Sequence, residues 1–321
     1  MSRRLIIFLF VFFCLGISLN SHATLYGIKS CGSNGPHCGT AIVRGGGSLA
    51  PTSFYSFSED GSSFNEIGFV SVDGLLVDAD GLALSSTNSF FAFDLVTKDS
   101  SNNTLQSRLI SINGTDATAS YIGNTVLDRD IRGAAFDSMD QLWAIDAFNN
   151  QLVKIDTSTG GELLSLELKL NGLSFDISTG TDIAFNARGE LVFINETSFF
   201  IADETTGDLT GLFSGTSGEF NAGLAFSNNP TVSSDINFVY EVNDFDDIYT
   251  YDASGTQSLL YSDIISQSTG GFNAGRGDLA SITSLAITPV PEPESIFIFL
   301  LGLVILGQLK EAPHSIKVKK R

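Results

Sequence analysis

Acidic residues at the ends of apolar strands are the side chains of this sequence whose type and spacing could do chemistry. Asp146, Asp156, Asp203 and Asp252 each follow an apolar run and precede a polar turn. A carboxylate in this position can bind a cation, or it can accept hydrogen bonds from the backbone N–H groups of the turn. Because all four recur at one position before a turn, the sequence predicts Asx turns.

Two denser acidic clusters could donate oxygen ligands to Ca²⁺. One contains Asp78 and Asp80, and the other spans residues 244–247. Neither has the ligand spacing or the terminal bidentate glutamate of a calcium-binding loop. We therefore predict solvated acidic clusters and no metal site, with Ca²⁺ binding as the alternative and no other cofactor.

Composition excludes histidine-assisted catalysis. His37 is the only histidine between residues 24 and 290. The chain also has no GxSxG elbow, Walker loop, HExxH helix or GxGxxG turn after a strand. A pair of carboxylates could still cleave a glycosidic bond, because their separation in space is invisible in the sequence. No catalytic residue is assigned.

The N-terminus has the pattern of a secretory signal peptide. Arg3 and Arg4 precede an apolar run at 5–17, and small residues then lead to a cleavage point after Ala23. A positive start, an apolar centre and small residues before the cleavage point define such peptides. We predict that residues 1–23 are removed and that the mature chain is exported.

Two cysteines remain in the mature chain. Cys31 and Cys38 lie on either side of a loop that contains Gly and Pro. In an oxidising compartment such a pair most simply forms one disulfide. The alternative, a metal site that includes His37, lacks further ligands. We predict a disulfide that closes a local loop.

Charge limits the possible partners. The chain has 17 Lys and Arg residues against 36 Asp and Glu residues, for a net charge of −19, and several of the basic residues lie at the two ends. Binding to nucleic acid depends on Lys and Arg. The exported part is therefore not expected to bind nucleic acid or anionic lipid. Its negative charge is compatible with binding to divalent cations or cationic surfaces, or it serves only to keep the protein soluble.

The middle of the chain is repetitive. Four segments share a small-apolar opening, an apolar strand, an aromatic strand and a turn with Gly, and their openings lie at 74–77, 133–136, 182–185 and 223–226. Each repeat has room for four short strands with alternating faces and no helical period. Repeats of roughly 40–50 residues with four strands are typical of β-propeller blades.

The two ends of this region predict ring closure. Strand 24–28 resembles the second strand of a blade that lacks its first, and strand 283–287 resembles a first strand that lacks the rest. Together they would complete one blade. The fold class predicted is all-β, a five-bladed propeller over 24–289, with six or seven blades requiring degenerate copies. Trp143 and the Phe-rich strand 90–93 are predicted to be core.

A stiff stalk precedes the C-terminal segment. It consists of Val290, Pro291, Glu292, Pro293 and Glu294. Each proline fixes its own φ and pushes the preceding residue toward an extended conformation, so the stalk is predicted to be exposed and non-helical.

A hydrophobic segment at 296–309 and a basic tail at 310–321 follow the stalk. As a helix the segment reaches about 21 Å, which is short of the ~30 Å hydrocarbon core. Its flanks nevertheless favour a membrane helix over a core helix. The five basic residues of the tail predict that it is cytoplasmic.

The order of a Pro-Glu-Pro motif, a hydrophobic segment and a basic end resembles the PEP-CTERM sorting signal of exported bacterial proteins. The resemblance covers 290–321, and the long tail with Glu311 and Pro313 departs from the family pattern. It implies that an exosortase-type transpeptidase processes the protein while it is held at the inner membrane. The protein would then reach the cell surface or the medium, in a setting of exopolysaccharide production.

Two functional hypotheses follow. The first is a noncatalytic envelope or extracellular-matrix protein with a binding or structural role in a surface or exopolysaccharide setting, which agrees with the lack of a catalytic motif. The alternative is an extracellular hydrolase or lyase that uses carboxylates, with or without Ca²⁺, at the mouth of the propeller. Three or more acids converging at the axial opening would favour the enzyme.

Overall fold

A computed structural model describes residues 24–30, 51–59, 62–97, 106–178, 180–214, 221–226, 239–243, 248–252, 255–261 and 277–280. The chain divides into two compact units, Met1–Thr283 and Ser284–Arg321, and every described residue belongs to the first. All elements in these ranges are strands. Accordingly, the described part of the chain contains no helix with the length and apolar character needed to cross a membrane.

Twenty-four strands make up the described fold. The first half, in chain order, is β1 (Thr24–Ser30), β2 (Thr52–Ser58), β3 (Phe64–Phe69), β4 (Ser71–Val72), β5 (Leu75–Leu76), β6 (Ala79–Leu84), β7 (Phe90–Thr97), β8 (Gln106–Ile112), β9 (Thr118–Tyr121), β10 (Ile131–Phe136), β11 (Leu142–Asp146) and β12 (Gln151–Ile155). The second half is β13 (Glu162–Glu167), β14 (Lys169–Leu170), β15 (Leu173–Ser174), β16 (Thr181–Phe185), β17 (Leu191–Asn195), β18 (Ser198–Ala202), β19 (Asp208–Ser214), β20 (Asn221–Phe226), β21 (Val239–Asn243), β22 (Ile248–Tyr251), β23 (Gln257–Tyr261) and β24 (Gly277–Ala280).

The strands of the described residues pair into five sheets, each built on four antiparallel strands. Their orders are β24-β1-β2-β3, β6-β7-β8-β9, β10-β11-β12-β13, β16-β17-β18-β19 and β20-β21-β22-β23. The first strand of each sheet contacts the first strands of two other sheets, in the cyclic order β6, β10, β16, β20, β24. This all-β, propeller-like arrangement confirms the predicted architecture. The blade count of the whole chain stays a prediction, because several segments before Thr283 lie outside the described residues.

Burial falls from the axis outward and explains the sequence pattern. Every residue of β6 and β16 is buried, whereas most of β13, an outer strand, is exposed. A strand that is covered on both faces has no polar face, so its sequence is mostly small and apolar residues without alternation. This is why the openings of the repeats show no alternation.

The cores lie between neighbouring sheets. Five buried apolar clusters are found among the described residues, one at each junction of the ring. Phe93 packs in the cluster shared with the β10 sheet, while Phe90 faces the β1 sheet. Trp143 is 4% exposed and belongs to the cluster shared with the β16 sheet. The prediction that these aromatic residues are core is therefore confirmed.

The first and last described strands close the ring, and the closing strand is not the predicted one. β1 pairs with β24, so residues 277–280 supply the first strand of that sheet. The predicted strand at 283–287 lies outside the described residues. The predicted position was wrong, because the apolar run at 283–287 looked more strand-like than the short, Gly-containing β24.

One opening in the repeat was also placed wrongly. Residues 74–77 contain β5 and not a first strand, since β6 begins at Ala79. Asp73 and Gly74 have φ values of 53° and 76°. Two consecutive residues in this region form a type I′ turn, which joins β4 and β5 as a hairpin. The overlooked signal was Gly or Asp, then an apolar residue, then Ala, which recurs in all five first strands.

Two hairpins of this kind connect neighbouring sheets. β4–β5 adds to the β6 sheet through parallel pairing of β4 with β9, and β14–β15 adds to the β16 sheet through β14 and β19. Matching backbone bonds run from Val77 N to Val70 O and from Phe175 N to Leu168 O. Each hairpin thus fastens one sheet to the outer strand of the next.

Candidate functional site

The first strands surround an axial channel. Its lining is apolar and comes from all five strands: Ala83, Leu84, Ala134, Ala135, Phe136, Ile183, Ala184, Phe185, Leu224, Leu279 and Ala280. The residues that line the channel come from the later part of each first strand, so the five first strands run in the same direction. We call the end at which these strands begin the mouth. The channel has room for about one water molecule. A larger ligand would have to bind at the mouth or on the outer surface.

Buried aspartates mark the mouth on three neighbouring first strands. Asp80 lies in β6, Asp130 immediately precedes β10, and Asp182 lies in β16. They are 3%, 6% and 0% exposed. A buried carboxylate must be paired or hydrogen-bonded to be tolerated, so the partners of each one decide what it can do.

Asp182 connects three first strands. Its carboxylate accepts hydrogen bonds from the backbone N–H of Ile183 (2.6 Å) and from that of Leu224 in β20 (2.5 Å). On the other side its Oδ1 lies against Gly133 of β10, so closely that a Cβ there would collide with it. This geometry gives Asp182 a structural role and explains why position 133 is glycine.

Asp130 is paired with a cation of its own chain. Arg132 donates from Nε and Nη2 to Asp130 Oδ2, at 2.8 and 2.6 Å. Both side chains are largely buried. A charge-assisted pair of this kind is stronger than a neutral hydrogen bond, and it holds the Asp130 carboxylate in place.

Asp78 and Asp80 were predicted to be solvated, and this was wrong. Both are buried, at 6% and 3% exposed. Thr52 fixes the residue between them: its hydroxyl donates to Ala79 O (3.1 Å) and accepts from Ala79 N (2.8 Å). No local pattern of residues indicates this burial, because it comes from packing between the β1 and β6 sheets.

Other charged groups at this end were missed by the sequence argument. Asp94, opposite Ala79 in the β6–β7 pairing, accepts a hydrogen bond from Tyr121 Oη at 2.5 Å. Lys29, near the end of β1, is 1% exposed. A lysine at this level of burial is rare. In the sequence, a single cation on the same strand face as Leu25 could have drawn attention to it.

Asp146 is a buried hub and not a simple turn cap. It is 0% exposed and pairs with Arg129 Nη1 at 2.5 Å. It also accepts hydrogen bonds from the backbone N–H groups of Asp130, Phe148 and Asn149. The burial of Arg129 acts to lower its pKa, but the hydrogen bonds that it donates to Asp146 and Glu162 raise the pKa above the ordinary value.

Asp156 and Asp203 form Asx turns, as predicted, whereas Asp252 accepts a hydrogen bond from the backbone N–H four residues on. Asp156 accepts from Ser158 N (2.8 Å), Asp203 from Thr205 N (2.7 Å) and Asp252 from Thr256 N (2.9 Å). Side-chain and backbone hydrogen bonds from Ser158 lower the pKa of Asp156, and those from Thr205 lower the pKa of Asp203. These turns lie at the end of the sheets opposite the mouth.

A carboxyl group that could act as an acid near neutral pH would need a raised pKa. Burial raises the pKa of Glu204, and the charges of Asp203 and Asp137 add to the effect. Glu204 lies in the β18–β19 turn, away from the mouth. Within the described ranges, no three His, Cys, Asp or Glu side chains are grouped so that they could bind a metal ion.

Several predicted site residues lie outside the described residues. They are Cys31 and Cys38 of the predicted disulfide, Val290, Pro291, Glu292, Pro293 and Glu294 of the predicted sorting motif, and the acidic segment 244–247. The signal peptide at 1–23 and the hydrophobic segment at 296–309 also lie outside them. All of these stay predictions.

Comparisons with known proteins give a likeness to solved structures alone. No family model matches the chain, and no curated protein matches it. Three similar structures are a streptogramin B lyase (14% identity, TM-score 0.36, 66% of this chain and 65% of that chain), a virginiamycin B lyase from Staphylococcus aureus (14%, 0.38, 74% and 74%) and XC5397 from Xanthomonas campestris, a gluconolactonase (15%, 0.39, 62% and 61%). The aligned part thus spans less than two thirds of the first and third of these chains. At TM-scores below 0.5 these likenesses carry no argument about activity.

Proposed function

We propose that this protein is an exported, noncatalytic five-bladed propeller that acts by binding or as a structural element at the cell surface or in secreted matrix. One observation carries the proposal: two of the buried carboxylates at the mouth are held by donors of their own chain. Asp182 is bonded to Ile183 and Leu224, and Asp130 is paired with Arg132. Carboxylates bonded in this way have a structural role in the ring.

The axial channel supports the same proposal. Its apolar lining and its room for about one water molecule leave little space for a substrate between the described first strands. Five sheets, each with contacts to two others through its first strand, support the count of five blades. A ligand would therefore be bound on the outer surface or across the mouth.

Delivery rests on the two ends of the chain. We propose that the signal peptide 1–23 directs export and that the PEP-CTERM-like segment 290–321 retains the protein at the inner membrane until an exosortase-type enzyme processes it. Intact-mass analysis of protein recovered from its native envelope and medium tests this. We expect a mature form that begins at Thr24 and ends close to Glu294. A form that retains 296–321 would mean a permanent anchor and would overturn the sorting proposal.

The ligand proposed is an extracellular polysaccharide, the polymer class implied by the resemblance to PEP-CTERM proteins. The test is affinity electrophoresis of residues 24–294 in gels that contain soluble polysaccharide, together with co-sedimentation with cellulose. We expect retardation by at least one polymer without a change in its length. Migration unaffected by any polymer, with the protein folded, would contradict a polysaccharide-binding role.

A second candidate is an extracellular hydrolase or lyase, favoured by the buried pair Asp78 and Asp80 at the mouth. In the same polymer panel a hydrolase would release reducing ends, and a lyase would form unsaturated ends. Turnover that is lost in Asp80→Asn and kept in Asp156→Asn would establish the enzyme. Binding without either product would support the noncatalytic proposal.

A further inference from the structure

The two sheet-connecting hairpins have the same backbone and differ in one reactive residue. β14–β15 turns through Asn171 and Gly172, with φ values of 56° and 76°. The β4–β5 hairpin turns through Asp73 and Gly74, with φ values of 53° and 76°. An Asn followed by Gly is the dipeptide in which the backbone nitrogen can most easily attack the side-chain amide, because Gly has no Cβ in the way.

Nothing in the described structure protects Asn171. Both turn residues are exposed, and a Cβ built on Gly172 would have no heavy atom within 4 Å. Among the described residues, no hydrogen bond to the Asn171 side chain is found. The adjoining strands Lys169–Leu170 and Leu173–Ser174 are only two residues long, so few backbone bonds must open for the turn to rearrange.

A second Asn-Gly pair, Asn113 and Gly114, is held in place. Asn113 Oδ1 accepts hydrogen bonds from Thr115 N (3.0 Å) and Thr115 Oγ1 (2.8 Å). A Cβ on Gly114 would lie 2.7 Å from Cε2 of Phe90, so the backbone there is packed against an aromatic ring. These contacts restrict the Asn113 side chain and the Gly114 backbone, and both must rearrange before a ring can form between them.

We propose that Asn171 is a site of spontaneous deamidation and isomerisation in the folded protein. The backbone nitrogen of Gly172 attacks Cγ of Asn171 and loses its proton, and a five-membered succinimide forms as ammonia leaves with the amide nitrogen. Water then opens the ring at one of its two carbonyl carbons. One opening gives aspartate, and the other gives isoaspartate. No oxidant or cofactor is involved.

The two products have different structural effects. Aspartate at 171 reproduces the turn that Asp73 and Gly74 already form, so the hairpin should keep its shape. Isoaspartate adds one methylene to the main chain of a two-residue turn. It would break the pairing of Leu170 with Leu173 and loosen the bond from Lys169 N to Gly207 O, which is 3.0 Å long.

Peptide mapping of the aged protein tests the proposal. The purified, folded protein is incubated at mildly alkaline pH, and samples are digested with trypsin to give peptides 170–188 and 109–129. Deamidation is read from the mass increase, and isoaspartate from labelling by an isoaspartyl methyltransferase. We expect Asn171 to react roughly tenfold faster than Asn113, because two hydrogen bonds must break before Asn113 can react.

Three controls make the result decisive. In denaturant both sites lose their structure, so their rates should become similar. Thr115→Ala removes one hydrogen bond from Asn113 and should accelerate its reaction in the folded protein. Asp73→Asn creates Asn-Gly in the β4–β5 hairpin and should react at about the rate of Asn171. An Asn171 that reacts no faster than Asn113 in the folded protein would overturn the proposal.

Discussion

The two ends of the same sheet use aspartate in opposite ways. At the mouth, Asp146 ends β11, is fully buried and pairs with Arg129. At the far end, Asp156 follows β12 and is open to solvent, where it bonds to Ser158 and Thr159. Both follow an apolar strand and both accept backbone N–H groups. The two aspartates differ in burial and in the presence of a cation, and neither property is determined by the residues next to them in the sequence.

This difference predicts where the fold is vulnerable. A buried charge that loses its partner leaves an uncompensated ion in a low-dielectric region. An exposed carboxylate that loses a turn bond is replaced by water at little cost. Substitutions at the mouth should therefore affect stability far more than the same substitutions at the far end.

The largest effect is expected for Asp146→Ala. It leaves Arg129 without its buried partner and removes the acceptor for the N–H groups of Phe148 and Asn149. Breaking a buried pair costs about 3–5 kcal/mol, and urea unfolding would measure the loss. Asp156→Ala is the matched control. If both variants lost the same stability, the proposed contrast between the two ends would be wrong.

Combining Asp146→Asn with Arg129→Met separates the two roles of Asp146, which are the ion pair with Arg129 and the hydrogen bonds with the turn. Asp146→Asn keeps the acceptor for the turn but loses the charge, and Arg129→Met removes the cation, which in Asp146→Asn alone would keep Glu162 as its ionic partner. The double variant should be more stable than Asp146→Asn alone if the ion pair carries most of the effect. An additive result would mean that the interaction between Asp146 and Arg129 contributes little to stability.

A smaller effect is expected for Gly133→Ala at the mouth. The new Cβ would collide with the Asp182 carboxylate and strain the bonds from Ile183 and Leu224. Overpacking of a well-packed interior costs about 1–3 kcal/mol. Gly211→Ala is the control, because a Cβ there has no heavy atom within 4 Å. Equal unfolding midpoints for both variants would mean that Asp182 does not hold the first strands as described.

The sequence predicted the fold better than the site, for a physical reason. Four-strand repeats depend on local alternation and on turn residues, and both are visible within each segment of the sequence. The confirmed core positions of Trp143 and Phe93 are examples. The misplaced first strand at 74–77 shows the limit. An apolar run alone did not separate a buried first strand from an exposed hairpin, whereas Gly or Asp followed by an apolar residue and Ala would have done so.

The site was harder because burial at the mouth is created by other sheets. In the sequence, Asp78 and Asp80 look like a solvated cluster. In the structure they are buried, and Thr52 of the β1 sheet bonds to Ala79 between them. Asp146 and Asp156 look alike in the sequence, and only the approach of Arg129 distinguishes them. Lys29 carries no motif at all, and its burial follows from ring closure.

The smallest effect is expected for the far-end turns, and it should depend on pH. Hydrogen bonds hold the pKa values of Asp156 and Asp203 below the ordinary value of 3.8. A carboxylate whose pKa is lower in the folded state stabilises the fold above its unfolded pKa, and this contribution is lost as the pH falls through the folded pKa. Wild type should therefore exceed the double variant Asp156→Asn, Asp203→Asn slightly in melting temperature near neutral pH. The difference should shrink below pH 3.8, as followed by thermal unfolding at a series of pH values. A difference that grows with acid would show that these turns favour the protonated form, contrary to the geometry.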